Sequence, residues 1–112
     1  MLFVICVNMS KNIKRNENFL KFFLETNSKQ QAALLETLSK DQALVLSEIT
    51  KNLLHLNIKQ QTKVLLKKKS RLIKKLTDSK TPLKERLRIF KKYQKYWITI
   101  FLTVKDNLLQ LL

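Results

Sequence analysis

Apolar residues recur along this chain at steps of three and four, and the polar interruptions between them predict where helices begin and end. After the lead Ser10-Lys11-Asn12-Ile13-Lys14-Arg15, the cluster Phe19, Leu20, Phe22, Phe23 and Leu24 follows Asn16-Glu17-Asn18. It predicts a short helix that ends by Thr26-Asn27. Ser28 with Gln31 three residues on reads as a capping box opening a second helix, with Ala32, Leu34, Leu35 and Leu38 at helical spacing. The pattern recurs in Ser39-Lys40-Asp41-Gln42-Ala43 and predicts a third helix over residues 41–56, with Leu46, Ile49, Leu53 and Leu56 as core candidates.

Asn57 is the expected stop, and residues 59–76 read as the next helix. Leu65, Leu72 and Leu76 share a narrow arc that Leu66 and Ile73 widen, while lysine fills the other faces. Lys69 falls inside that arc and should have to snorkel its ammonium outward. Thr77-Asp78-Ser79-Lys80 is a polar break, after which Thr81 as cap and Pro82 at the first helical position predict a final helix bearing Leu83, Leu87 and Phe90. Residues 97–104 are β-branched and aromatic enough for a strand to compete there. Lys105-Asp106-Asn107 should interrupt before the last leucines.

Composition narrows the fold. The chain has no glycine and one proline, so hairpin turns that need positive φ are hard to build and an all-α protein of four or five helices is expected. Its organisation reads as a lead over residues 1–16, a compact helical module over 17–56, a basic helical arm over 57–95 and an apolar tail over 96–112. The apolar run over residues 2–7 lacks a basic lead and is too short for a signal or a span, so the protein is expected to be intracellular and not secreted. Met9 is a second candidate start, which leaves residues 1–8 either untranslated, a small hydrophobic anchor or an edge strand. Cys6, the single cysteine, offers no internal disulfide and no cysteine-based zinc site, and neither a metal nor a cofactor is expected.

Charge then changes the picture. Residues 59–95 hold 15 of the 23 basic side chains against only Asp78 and Glu85, a balance of +13, whereas the remainder sets 8 basic against 6 acidic residues. Residues 67–75 place six basic side chains in nine positions with no acid. A merely solvated helix face intersperses Glu with Lys to gain about 0.2–0.5 kcal/mol per pair, so this density points to a polyanion that relieves self-repulsion. The first partner implied is the phosphate backbone of DNA or RNA. The expected contacts are Lys67, Lys68, Lys69, Arg71, Lys74 and Lys75, joined by Lys84, Arg86, Arg88, Lys91 and Lys92. Lysine outnumbers arginine in the run and supplies point charges rather than a guanine-reading fork, which implies binding indifferent to sequence.

Two other readings compete. Tyr93, Tyr96, Trp97 and Phe101 interleave with the last lysines, and Tyr96, Trp97 and Phe101 beside a basic segment suit shallow insertion into an anionic membrane. The same aromatics equally suit base stacking or an ordinary core. A helical scaffold whose leucine faces drive homo-oligomerisation is the third reading.

An enzyme is not expected. His55, the single histidine, lies among Leu53, Leu54 and Leu56 and reads as a partly buried helix residue rather than a general base. No nucleophile-base or paired-carboxylate arrangement can be assembled, and the absence of glycine excludes a phosphate loop or dinucleotide fingerprint.

The order of features from Asn18 to Leu87 resembles the small basic proteins of Polinton/Maverick elements and the related adintoviruses. The resemblance is carried by Phe19-Leu20-Lys21, Ser28-Lys29-Gln30-Gln31, Leu34-Leu35-Glu36, Asp41-Gln42-Ala43-Leu44, Ser47-Glu48-Ile49, Asn52-Leu53-Leu54, Asn57-Ile58, Leu66-Lys67-Lys68 and Arg71-Leu72-Ile73-Lys74-Lys75-Leu76. It implies a virion component comparable to the basic core or membrane-active minor proteins of adenoviruses, acting in the nucleus and the virion with a capsid protein as a possible neighbour. Such proteins follow their basic helices with a glycine-containing hydrophobic tail. This chain departs from that pattern, with Lys91-Lys92-Tyr93-Gln94-Lys95 and no glycine.

Overall fold

The computed structural model describes residues 11–110 and 112, and the expectations placed on residues 1–8 fall outside them. The described residues form nine helices and no strand: α1 (Lys11–Arg15), α2 (Glu17–Glu25), α3 (Ser28–Glu36), α4 (Lys40–Leu53), α5 (Gln60–Lys68), α6 (Ser70–Thr77), α7 (Leu83–Lys92), α8 (Gln94–Thr103) and α9 (Lys105–Leu109). The expected four or five is corrected upward because single residues divide longer helical stretches. Asn16, Lys69, Tyr93 and Val104 each leave the helical region, with φ between −105° and −122° and ψ between 11° and 42°. Each both closes one helix and opens the next, so the chain changes direction without a loop.

No described residue has a positive φ, which follows from a chain without glycine. Thr26, Asn27, Ser39, Lys59, Asp78 and Pro82 are extended at helix ends. Ser39 forms the expected capping box with Gln42, its hydroxyl accepting from the Gln42 amide at 3.1 Å and the Gln42 side chain accepting from the Ser39 amide at 3.0 Å. The earlier cap is corrected by one residue: Asn27, not Ser28, caps α3, accepting from the Gln30 amide at 2.8 Å. Gln31 instead turns inward and donates to the Phe23 carbonyl at 2.8 Å, tying α3 to α2. Pro82 rather than Thr81 precedes α7, and the Thr81 hydroxyl donates to the Lys75 carbonyl. Residues 97–103 are helical, not a strand, and a helix break at Val104 directly precedes Lys105-Asp106-Asn107, which open α9 before the last leucines.

One hydrophobic core runs from Ile13 to Leu108. The core leucines expected on the third predicted helix, Leu46, Ile49 and Leu53, are buried, while Leu56 lies beyond α4 and is half-buried. Trp97 sits at the centre. Its ring centroid lies 5.1 Å from Phe90 and 6.0 Å from Phe101, and Phe101 meets Phe23 edge-on at 5.4 Å, so α2, α7 and α8 share one aromatic chain. The Trp97 indole donates to the Ile89 carbonyl at 3.3 Å, which removes the cost of burying that N–H.

The basic stretch is not an arm. Helix α4 packs against both α6 and α7, α3 packs against α8 and α7, and α5 packs against α6 and α8, so the lysine-rich helices are built into the helical body. Principal extents of 36 × 31 × 31 Å leave no room for a projecting segment. The segment expected as a tail is likewise part of the core, through Trp97, Ile100, Phe101, Val104 and Leu108.

Candidate nucleic-acid interface

Amphipathic geometry decides where the charges go. Leu66, Ile73 and Leu76 turn inward from α5 and α6, and Ile89 and Phe90 from α7, which leaves the lysines between them facing solvent. Lys67, Lys68, Lys69, Arg71, Lys74, Lys75, Lys84, Arg88, Lys91 and Lys92 are all exposed. Lys69 needs no snorkelling: it is the residue at which the helix breaks, and this takes it out of the apolar arc and over the Tyr93 ring, 5.6 Å from the centroid.

Arg86 is the exception among the eleven predicted contacts. It is only 7% exposed, donating from Nη2 to the Asp78 carbonyl at 2.8 Å and from Nε to the Thr81 carbonyl at 3.2 Å. Its guanidinium closes the turn between α6 and α7, so its assignment to phosphate contact is corrected. Two more candidates are internally matched. Glu85 accepts two hydrogen bonds from Arg88, each 2.7 Å, and pairs with Lys75 at 2.9 Å. Hydrogen bonds from Arg88 and then Lys75 hold its carboxyl well below the ordinary 4.5, at about 2. Asp78, the other acid of the segment, spends one oxygen on the Lys80 amide at 2.9 Å.

Lys67, Lys68, Lys69, Arg71, Lys74, Lys84, Lys91 and Lys92 therefore remain exposed and without an ion pair among the described residues. Shallow concavities gather some of them. One of about 490 Å³ brings Arg71, Lys74 and Lys75 together with Lys80. Another of about 520 Å³ joins Lys69, Lys91 and Lys92 with Lys95, Tyr93 and Tyr96. A third, of about 420 Å³ and mostly apolar, has Lys67 and Lys74 beside Leu54, Leu66 and Ile73. Lys68 and Lys84 line none of these three. Lys80 and Lys95 belong with the candidates but were not singled out from the sequence; the fold sets Lys80 beside Arg71 and Lys95 beside Lys69.

The aromatic candidates are placed otherwise. Trp97 and Phe101 are fully buried, and Tyr96 is half-buried with its hydroxyl donating to the Leu65 carbonyl at 2.9 Å. Burial pushes the Tyr96 phenol up to about 12. Among the described residues no helix is long and apolar enough to cross a membrane. His55 is exposed in the turn after α4, not part of a helix as expected. Comparison with family models, with curated proteins and with solved structures finds no match for this chain.

Proposed function

We propose that this protein binds nucleic acid through backbone phosphates, without reading sequence, and serves to package or condense a viral or transposon genome. The observation that carries this reading is the set of eight exposed basic side chains, on α5, α6 and α7 and at the Lys69 break, that form no ion pair among the described residues. Glu85 is committed to Arg88 and Lys75, and Asp78 holds the Lys80 amide with one oxygen, which leaves most of the segment's positive potential to an outside partner. Most of the free side chains are lysines, each able to take one phosphate as a point charge without fixing a base edge. The resemblance to the small basic proteins of Polinton/Maverick elements and adintoviruses supports a place beside a packaged genome.

Filter binding with unrelated duplexes of equal length tests this. All should be retained at low salt with closely similar affinity, and replacing Lys67, Lys68, Lys69, Arg71 and Lys74 with glutamine should weaken all alike. Retention of one sequence over the others, or of none, would discard the reading.

A further inference from the structure

We propose that the concavity where two helix breaks meet, lined by Lys69, Lys91, Lys92 and Lys95 around Tyr93, is a discrete site for a compact polyphosphate, several phosphates joined in one small anion. It rests on the same phosphate chemistry as the proposed function but adds a separate site of fixed stoichiometry.

Along a convex lysine face, each ammonium meets a polymer singly. Here four converge on about 520 Å³ of space, drawn from the breaks at Lys69 and Tyr93 and the residues flanking the second. No acidic side chain lines this space, whereas the neighbouring basic hollow has Asp78 and Glu85 in its wall. Lys69 and Lys92 each stand 5.6 Å from the centroid of the Tyr93 ring, so their ammonium groups are at most about 11 Å apart, twice that distance. The ring's negative face helps to hold each cation in place. Two like charges within this distance repel one another, and a bridging polyanion attracts both. With cations already over the ring, the site offers phosphate contacts in preference to a stacking platform for a base.

Calorimetric titration of the full chain with inorganic tripolyphosphate tests the site. Saturation at one anion per chain is expected, and a nucleoside triphosphate should match tripolyphosphate, because only the phosphates are recognised. The pair Lys69→Gln and Lys92→Gln should weaken binding by about tenfold or more, as loss of charge-assisted contacts does. The pair Lys91→Gln and Lys95→Gln, which leaves the Tyr93 contacts in place, should do likewise. The control pair Lys67→Gln and Lys84→Gln removes equal charge elsewhere and should leave the affinity nearly unchanged. Titration without saturation, or equal weakening by all three pairs, would overturn the site. Duplex retention measured in parallel separates the two proposals: duplex bound without tripolyphosphate saturation rejects this site alone, while saturation without duplex binding rejects only the packaging reading.

Discussion

Arg86 and Arg88 stand two positions apart in the same helix and are used in different ways. Arg86 is buried against the Asp78 and Thr81 carbonyls, so it holds the α6–α7 turn closed. Truncating it to methionine would strand acceptors that water reaches poorly, and we expect a loss of about 1–3 kcal/mol in urea unfolding. Lys84→Gln should show the reverse pattern, unchanged stability and weaker DNA retention, because that side chain is exposed and unpaired. Arg88 is committed to Glu85, whose carboxyl is lowered to about 2. A lowered folded value means that Glu85 contributes stability at pH above 4.5 and loses it as pH falls toward 2. Melting temperature should therefore drop over that window in the parent protein, and drop less in Glu85→Gln. Nothing in the sequence separated these arginines from their neighbours, since charge density counts side chains without regard to which a turn will bury.

Element boundaries were legible where local chemistry sets them. The Ser39 capping box involves only residues 39–42, so the sequence pattern and the structure coincide. At the start of α3, Asn27 and Ser28 are both competent caps, and the sequence pattern favoured the wrong one because Gln31 is drawn inward to the Phe23 carbonyl. Ser39→Ala and Asn27→Ala should each cost about 1 kcal/mol in chemical unfolding, and Ser28→Ala should cost distinctly less. The breaks at Asn16, Lys69, Tyr93 and Val104 were not legible. None is a glycine or proline, and at Lys69 the reason is packing: a continuous helix over residues 60–77 would carry Lys69 on its apolar face. Breaking there releases the ammonium and preserves the burial of Leu66, Ile73 and Leu76 on either side.

At the scale of the whole molecule, sequence periodicity conveyed the helical class but not how the helices are layered. The long-range contacts of α4 with α6 and α7, and of α3 with α8, turn an expected arm and tail into one side of a single core. Trp97 is the keystone of that core, touching Phe90, Tyr96 and Phe101, and Trp97→Ala should cost about 3–5 kcal/mol, enough to broaden or abolish a cooperative melt. The partition of charge, by contrast, was fully visible in the chain, and folding changes it only by internal use of Arg86, Arg88 and Lys75. What remains is a small helical body with a cationic surface of lysines, suited to neutralising phosphates along a polymer. Counterion release makes that role measurable: if about six to ten phosphates are contacted, affinity for duplex DNA should fall by about 10³ to 10⁵ between roughly 50 and 200 mM salt. The decisive measurement is the dependence of the duplex dissociation constant on salt concentration. A steep linear fall of log affinity with log salt, the same for unrelated sequences, is the expected result, and an affinity that ignores salt would contradict the account.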